Sequence, residues 1–500
     1  MRRLLLAACA LLAAAPAYAQ GTLNIGMRED PDLLDPTLGS SYVGRIVYAA
    51  MCDKLFDLDA KLNVVPQLAM GWEYESPTRL VIRLRPNVTF QDGEPFNAEA
   101  VRYKINRDLT LNGSMRVGEV NSIQAVEVID PLTIRLVLKA PNAPLLTLLT
   151  DRAGIMISPK AAEAAGNQFG TRPVCAGPYA FDSRVAQDRI TLRRYPGHWD
   201  AANYYFDQVV YRPMPSTNVR TANLRAGSLD LVEQITPNDV PEIRNDPKLR
   251  IMIGDGLAYT GINFNINNGP NSRTDIGQNR LVRQAFEASI DRTALIQVVY
   301  DGLHTPTIQA NPPSSPMYFQ ELQPPPRDLA RAKALLQQAG VKLPVPVTIT
   351  TSNSPDIQQA AEVIQAMAAE AGFDVKLRVM EFASSLQAGY AGDFQAYMIG
   401  WSGRADADGN MWQLLHSRGT FNYGRWSNPE ADALLDQARL PTDPAERRAL
   451  YARFWEIERQ DLPLMYLWSS KNVVGLKRSI EGFEQIPDGL IRLRGVKMAR

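Results

Sequence analysis

Hydrophobic positions along this chain switch between two periods. Leu80, Ile82 and Leu84 alternate with Val81, Arg83 and Arg85, the period-2 pattern of a strand. A preceding strand and an Asp92-Gly93 turn frame it, and Asn97 then caps a helix that opens AEAVRYKINR. Thr22 to Met27 reads as a strand, followed by an Asp35-Pro36 turn and helical spacing from Val43 to Leu55. Ile123 to Leu138 predicts two strands around Asp130-Pro131; short strands follow at Pro173–Phe181, Ile190–Arg194 and Gln208–Arg212. Val219–Ala226 predicts a helix closed by Gly227, and Leu229–Leu231 begins another strand.

The pattern changes near Tyr259. YTGINFNINN predicts a strand, and longer helices alternate with strands after it. Asn279 to Tyr300 aligns Leu281, Ala285, Phe286 and Ile290 and reads as one helix. Val345–Thr351, a helix over Asp356–Ala371 stopped by Gly372, and Phe373–Val379 form a βαβ unit, which predicts parallel pairing and a right-handed crossover. Phe394–Ile399 is another apolar strand. Asn428-Pro429 and Asp443-Pro444, with Glu446, start two helices, and Leu462–Trp468 runs back as a strand. No internal repeat is visible, and Pro312–Pro326 reads as a surface excursion.

Five hundred residues exceed one core, so at least two lobes are expected. The tail after Trp468 is too short to be a domain and must pack on an existing lobe. The chain then crosses between lobes twice, an arrangement suited to hinge closure. Hydrophobic content of 45% and charged content of 21% fit a soluble globular protein. A net charge of zero offers no basic field for nucleic acid.

The N-terminus reads as an export signal: Arg2-Arg3, an apolar run, and small residues at Ala17 and Ala19. Cleavage after Ala19 starts the mature chain at Gln20. Removing Arg2 and Arg3 from 53 basic residues leaves 51 against 53 acidic, a net of −2. Leu6-Ala7-Ala8-Cys9 also resembles a lipobox, but processing there leaves an apolar region of only about five residues, short of the usual 7–15. Cys52 and Cys175 remain, 123 positions apart, and in an exported chain such a pair predicts a disulfide; two buried thiols are the other reading.

Six segments carry a closer resemblance: Leu34-Asp35-Pro36, Pro66–Val101, Ala176-Gly177-Pro178-Tyr179, Leu224–Leu231 (LRAGSLDL), Asn263–Arg292 (with LVRQAFEASIDR) and Trp426–Arg439 (WSNPEADALLDQAR). In this order they resemble the extracytoplasmic solute-binding proteins of family 5, the oligopeptide- and dipeptide-binding components of ABC importers. The resemblance implies an α/β, two-lobed periplasmic-binding-protein fold of the large cluster C type. Lobe one would combine 20–260 with 468–500 and carry an extra subdomain at 41–170; lobe two would cover 261–467. It implies a periplasmic monomer that closes on a small polar or acidic solute or modified peptide and hands it to an inner-membrane permease.

The candidate chemistry sits after the Phe394–Ile399 strand, in Gly400-Trp401-Ser402-Gly403-Arg404-Ala405-Asp406-Ala407-Asp408-Gly409-Asn410. Open α/β sheets bind ligands beyond strand C-termini. In peptide-binding relatives this loop resembles Gly-Trp-x-x-Asp, whose aspartate holds the peptide's amino group. Here Arg404 stands at that position. A guanidinium repels an ammonium group and suits a carboxylate, phosphate or sugar hydroxyls. Arg404 also reads as a structural partner of Asp406 or Asp408, and both roles are compatible. Trp401 offers a flat wall with one donor. Tyr259, at the lobe crossover, reaches either ligand or hinge. Asn422, Ser41 and Tyr42 lie in polar stretches that face either the cleft or solvent. Phe382 reads as a cleft wall or as core.

An enzyme, such as an exported peptidase, is the competing class. His198, His304 and His416 are scattered, and neither a Gly-x-Ser-x-Gly elbow nor a phosphate-cradling loop occurs. Asp-Ala-Asp-Gly-Asn lacks the downstream glutamate of a calcium loop. No cofactor is expected; a nickel or metallophore binder of the same fold is the remaining alternative.

Overall fold

A computed structural model describes residues 21–499; the expected signal peptide lies outside these residues. One mixed sheet runs through the molecule. From one edge its order is Phe373–Met380, Val345–Ser352, Ala396–Trp401, Leu249–Phe264, Leu464–Lys477, Leu231–Glu233, Thr22–Met27, Gln208–Pro213, Arg189–Arg194 and Tyr179–Val185. The βαβ strands Val345–Ser352 and Phe373–Met380 pair in parallel, as the helix between them requires. A separate four-stranded antiparallel sheet, Ala69–Ser76, Arg79–Leu84, Thr133–Leu138 and Ile123–Asp130, packs against the helix Ala98–Thr110. Asn97 starts that helix by accepting from the Ala100 N–H at 3.1 Å.

The two central strands, Leu249–Phe264 and Leu464–Lys477, are 16 and 14 residues long. Both run further than their sequence patterns predict, because Gly254 and Gly256 interrupt the alternation of the first and polar Ser469-Ser470-Lys471-Asn472 that of the second. They pair antiparallel over most of their length, with register breaks between Asp255 and Tyr259 and again between Thr260 and Gly261. Thr260 faces Trp468 across the ladder, so the chain's two passages between lobes lie side by side at these irregularities. A bulge at this point locally disrupts the ladder.

Each lobe has its own core. Leu23, Ile25, Val43, Ile46 and Leu231 belong to the first; Ile262, Phe264, Phe286, Ile349 and Met398 belong to the second. Cys52 and Cys175 form a disulfide that ties the end of helix Tyr42–Met51 to the loop before Tyr179. The stretch read as one helix over Asn279–Tyr300 is two, Arg280–Ala288 and Arg292–Tyr300. Asp291 causes the break: its carboxylate accepts from the Ala294 N–H at 2.9 Å and begins a new helix.

Candidate functional site

Between the two halves lies a cavity of about 1120 Å³ of atom-free space, part of it continuous with solvent. Arg28, Glu29, Ser40, Ser41, Tyr42, Gln234, Asn472 and Asp488 close it from the first lobe. Tyr300, His304, Ser352, Asp356, Phe382, Ser385, Tyr397–Ser402, Phe421 and Tyr423 close it from the second, with Trp468 at the crossover between them. Several of these positions lie at or just after strand ends. Arg28 and Glu29 come directly after Thr22–Met27, Asp356 sits in the helix that begins after Val345–Ser352, and Trp401 ends its own strand.

The local folding explains the walls. Asp32 accepts from the hydroxyls of Ser40 and Ser41, each at 2.6 Å, and from their backbone N–H groups. Burial opposes its ionisation, yet these bonds hold its carboxyl below the usual range. Ser41 also caps the helix Tyr42–Met51 through the Gly44 N–H. Tyr42 donates to the Gly489 carbonyl at 2.7 Å, which fixes its ring at the rim. On the opposite wall His304 and Trp468 stack at 9° with centroids 6.1 Å apart. His304 Nδ1 accepts from the Lys471 N–H at 3.3 Å, which leaves the ring proton on Nε2. Burial lowers this imidazole to about 4, so it stays neutral.

Of the residues singled out in the sequence, Ser41, Tyr42, Phe382 and Trp401 line the cavity. Tyr259 does not; its ring packs on Tyr466, 4.9 Å between centroids. Asn422 shapes a turn instead, donating to the carbonyls of His416 and Trp426 and accepting from the Trp426 N–H. Asp406 forms a bidentate pair with Arg447 at 2.7 and 2.8 Å, and Asp408 does so with Arg439 at 2.7 and 2.9 Å.

Arg404 therefore has neither expected partner. It turns away from the cavity and pairs with Asp151 of the first lobe, Nε to Oδ2 at 2.8 Å. Its loop enforces this direction. Gly403 has φ +71°, and a Cβ there would lie 2.1 Å from the Leu257 carbonyl oxygen. Asn410 then clamps the turn, accepting from the Arg404 N–H at 2.7 Å and from Trp401 Nε1 at 3.2 Å. Arg45 reaches the same Asp151 oxygen at 2.8 Å. Burial works against the Asp151 anion, but Arg404, Arg45, Arg152 and Arg116 outweigh it and hold its carboxyl well below the ordinary range.

Sequence reasoning missed Arg28, Glu29, His304 and Asp356. The rule that ligands gather beyond strand C-termini was applied to one strand only; applied to Thr22–Met27 and Val345–Ser352 it reaches Arg28, Glu29 and Asp356. His304 follows no such rule, since its place depends on stacking against Trp468.

The model of the bacterial extracellular solute-binding proteins, family 5, matches residues 63–422. The chain belongs to this family. It is therefore an extracytoplasmic substrate-binding component of a peptide-type ABC importer, a protein that takes up a small solute or peptide between two lobes and works with a permease. No helix among the described residues is long and apolar enough to cross a membrane. This family 5 chain is 28% identical to the glutathione-binding protein GsiB of Shigella dysenteriae over 491 positions, covering 95% of this chain and 94% of that protein. GsiB of Salmonella typhi matches to the same extent. Among solved structures, DppA of Helicobacter pylori in complex with the peptide STSA superposes with a TM-score of 0.87 at 24% identity, covering 97% and 99% of the two chains. The binding protein AgaA of A. tumefaciens, in complex with agropinic acid, gives 0.87 at 23%, covering 96% and 99%. These two share its fold.

Proposed function

We propose that this protein captures a small, charged, peptide-like solute in the cavity between its lobes and delivers it unchanged to an inner-membrane permease. The mature chain begins at Gln20, resides in the periplasm and acts as a monomer, with no bond made or broken in the solute. Lobe one is taken as 20–260 with 468–500, lobe two as 261–467, and 41–170 as the subdomain that meets lobe two. The observation that carries this reading is the cavity itself, walled from both sides of the paired strands and lined by aromatic rings and a few charged groups. Glutathione and peptides of two to four residues are the first solutes to try, given the relatives' ligands.

Thermal melting of the purified chain against amino acids, glutathione, short peptides and opine-type acids tests the proposal. One class should raise the melting temperature, since a ligand at 100 times Kd stabilises by about 2.7 kcal/mol. No shift with any class, or chemical conversion of a solute, would contradict it.

A further inference from the structure

The charges around the cavity are unequal in how they are satisfied. Asp488 is bound by Arg492 at 2.9 and 2.7 Å, and Asp32 by four donors. Among the described residues, the side chains of Arg28 and Glu29 have only a loose ion pair with each other. The Arg28 side chain donates no hydrogen bond; its Nε is buried and unpartnered, and its guanidinium lies over the Tyr42 ring at 5.2 Å. Glu29 is 8% exposed, and its Oε2 is buried with no donor. The two side chains stand 3.8 Å apart, Nε to Oε2, too far for a hydrogen bond. Across the cavity, Asp356 Oδ1 accepts from Ser354 at 2.6 Å, while Oδ2 has only the distant Tyr300 hydroxyl at 3.5 Å. A buried carboxylate oxygen without a hydrogen-bond donor is costly, so a ligand that donates to Glu29 and accepts from Arg28 gains what their 3.8 Å ion pair does not supply.

Deepening the proposed function and resting on it, we infer that the solute carries an α-amino acid head, with its carboxylate on Arg28 and its ammonium group between Glu29 and Asp356. The closeness of the opposite charges decides the class. Arg28 and Glu29 are neighbours, so the ligand's anion and cation must be neighbours too, as on a single carbon. An α-linked peptide has its ammonium and carboxylate at opposite ends. A peptide linked through a glutamyl side chain keeps both on one carbon and extends its remaining atoms into the cavity. Glu29 supports this chemistry: burial raises its carboxyl to about 7, Arg28 pulls it down, and Glu233 and Asp356 raise it, so an arriving cation finds a group it can ionise. The neutral His304 Nε2–H supplies a further donor on the same wall. The Arg404 position, where relatives' aspartate would hold an ammonium group, is committed to Asp151 and free of this duty.

Calorimetric titration of the full mature chain decides the matter. The probes are the free amino acids, glutathione, its α-linked isomer with the same three residues, and N-acetyl-glutathione. Glutathione should bind about tenfold or more tightly than the isomer and the acetylated form. Arg28→Gln and Asp356→Asn should each weaken glutathione by a similar factor and erase its advantage over the isomer and the acetylated form, respectively, with melting curves confirming that both variants fold. Glu29→Gln is the independent check should either variant fail to fold. Equal or tighter binding of the α-linked isomer, or tolerance of N-acetylation, overturns the inference while the binding function stands. Binding by none of the probes, or only by solutes without an amino group, overturns it as well, and silence across the wider thermal panel overturns the function beneath it.

Discussion

Arg404 illustrates how a single side chain can change jobs within a fold. Buried and aimed at Asp151, it joins the second lobe to the first. Removing it leaves a buried carboxylate still facing Arg45, so the loss should be smaller than the 3–5 kcal/mol of a pair broken outright. Arg404→Ala should speed ligand release about tenfold in stopped-flow tryptophan fluorescence, with Trp401 and Trp468 in the cavity wall as reporters. An unchanged release rate would show that the Arg404–Asp151 pair does not hold the lobes together. Glu458 offers a second test. It is fully buried, and neither carboxylate oxygen has a hydrogen-bond partner among the described residues. Burial raises its carboxyl to about 8, against Arg459. A folded pKa above the unfolded value near 4.3 favours the native state in full at low pH, and this contribution is lost as pH rises toward 8. Glu458→Gln should therefore gain on the wild type between pH 5 and 9, by an amount on the order of a few kcal/mol. Urea midpoints at both pH values measure the difference; a constant gap would contradict it.

At the scale of elements, caps and cross-links set what holds the walls. The disulfide spans 123 positions and constrains a long unfolded loop, so replacing both cysteines by serine should cost about 2–4 kcal/mol in urea unfolding. A loss below 0.5 kcal/mol would show that packing alone fixes the end of the Tyr42–Met51 helix. Most elements were legible in the sequence: alternation marked Arg79–Leu84 and Val345–Ser352, and Asn97, Asn428 and Asp443 marked helix starts that the structure shows with their side chains bonded to first-turn N–H groups. What escaped has a common cause. The second half of Leu464–Lys477 and the first half of Leu249–Phe264 are held by pairing with each other, and pairing between distant segments leaves no local period. Ser41, Tyr42, Phe382 and Trp401 were legible because strand-end and helix-start positions face a cleft; Arg404 misled because chemistry was read from its type, while its direction is set by Gly403 and Asn410.

In the whole molecule the two sides of the cavity touch directly. The expected subdomain meets lobe two through the Asp151–Arg404 pair, the Arg439 guanidinium on the Gly118 carbonyl at 3.2 Å, and the Ala143 N–H on the Arg439 carbonyl at 2.8 Å. Opening would break these contacts and bend the irregular ladder near Thr260 and Trp468. Capture is then a balance between these contacts plus ligand on one side and freedom of the lobes on the other. Small-angle X-ray scattering of the mature chain, alone and saturated with the solute selected by thermal melting, tests this directly. The radius of gyration should be smaller with ligand, and in Arg404→Ala the shift should be larger for the same saturation. An identical radius with and without saturating ligand would contradict closure around a captured solute.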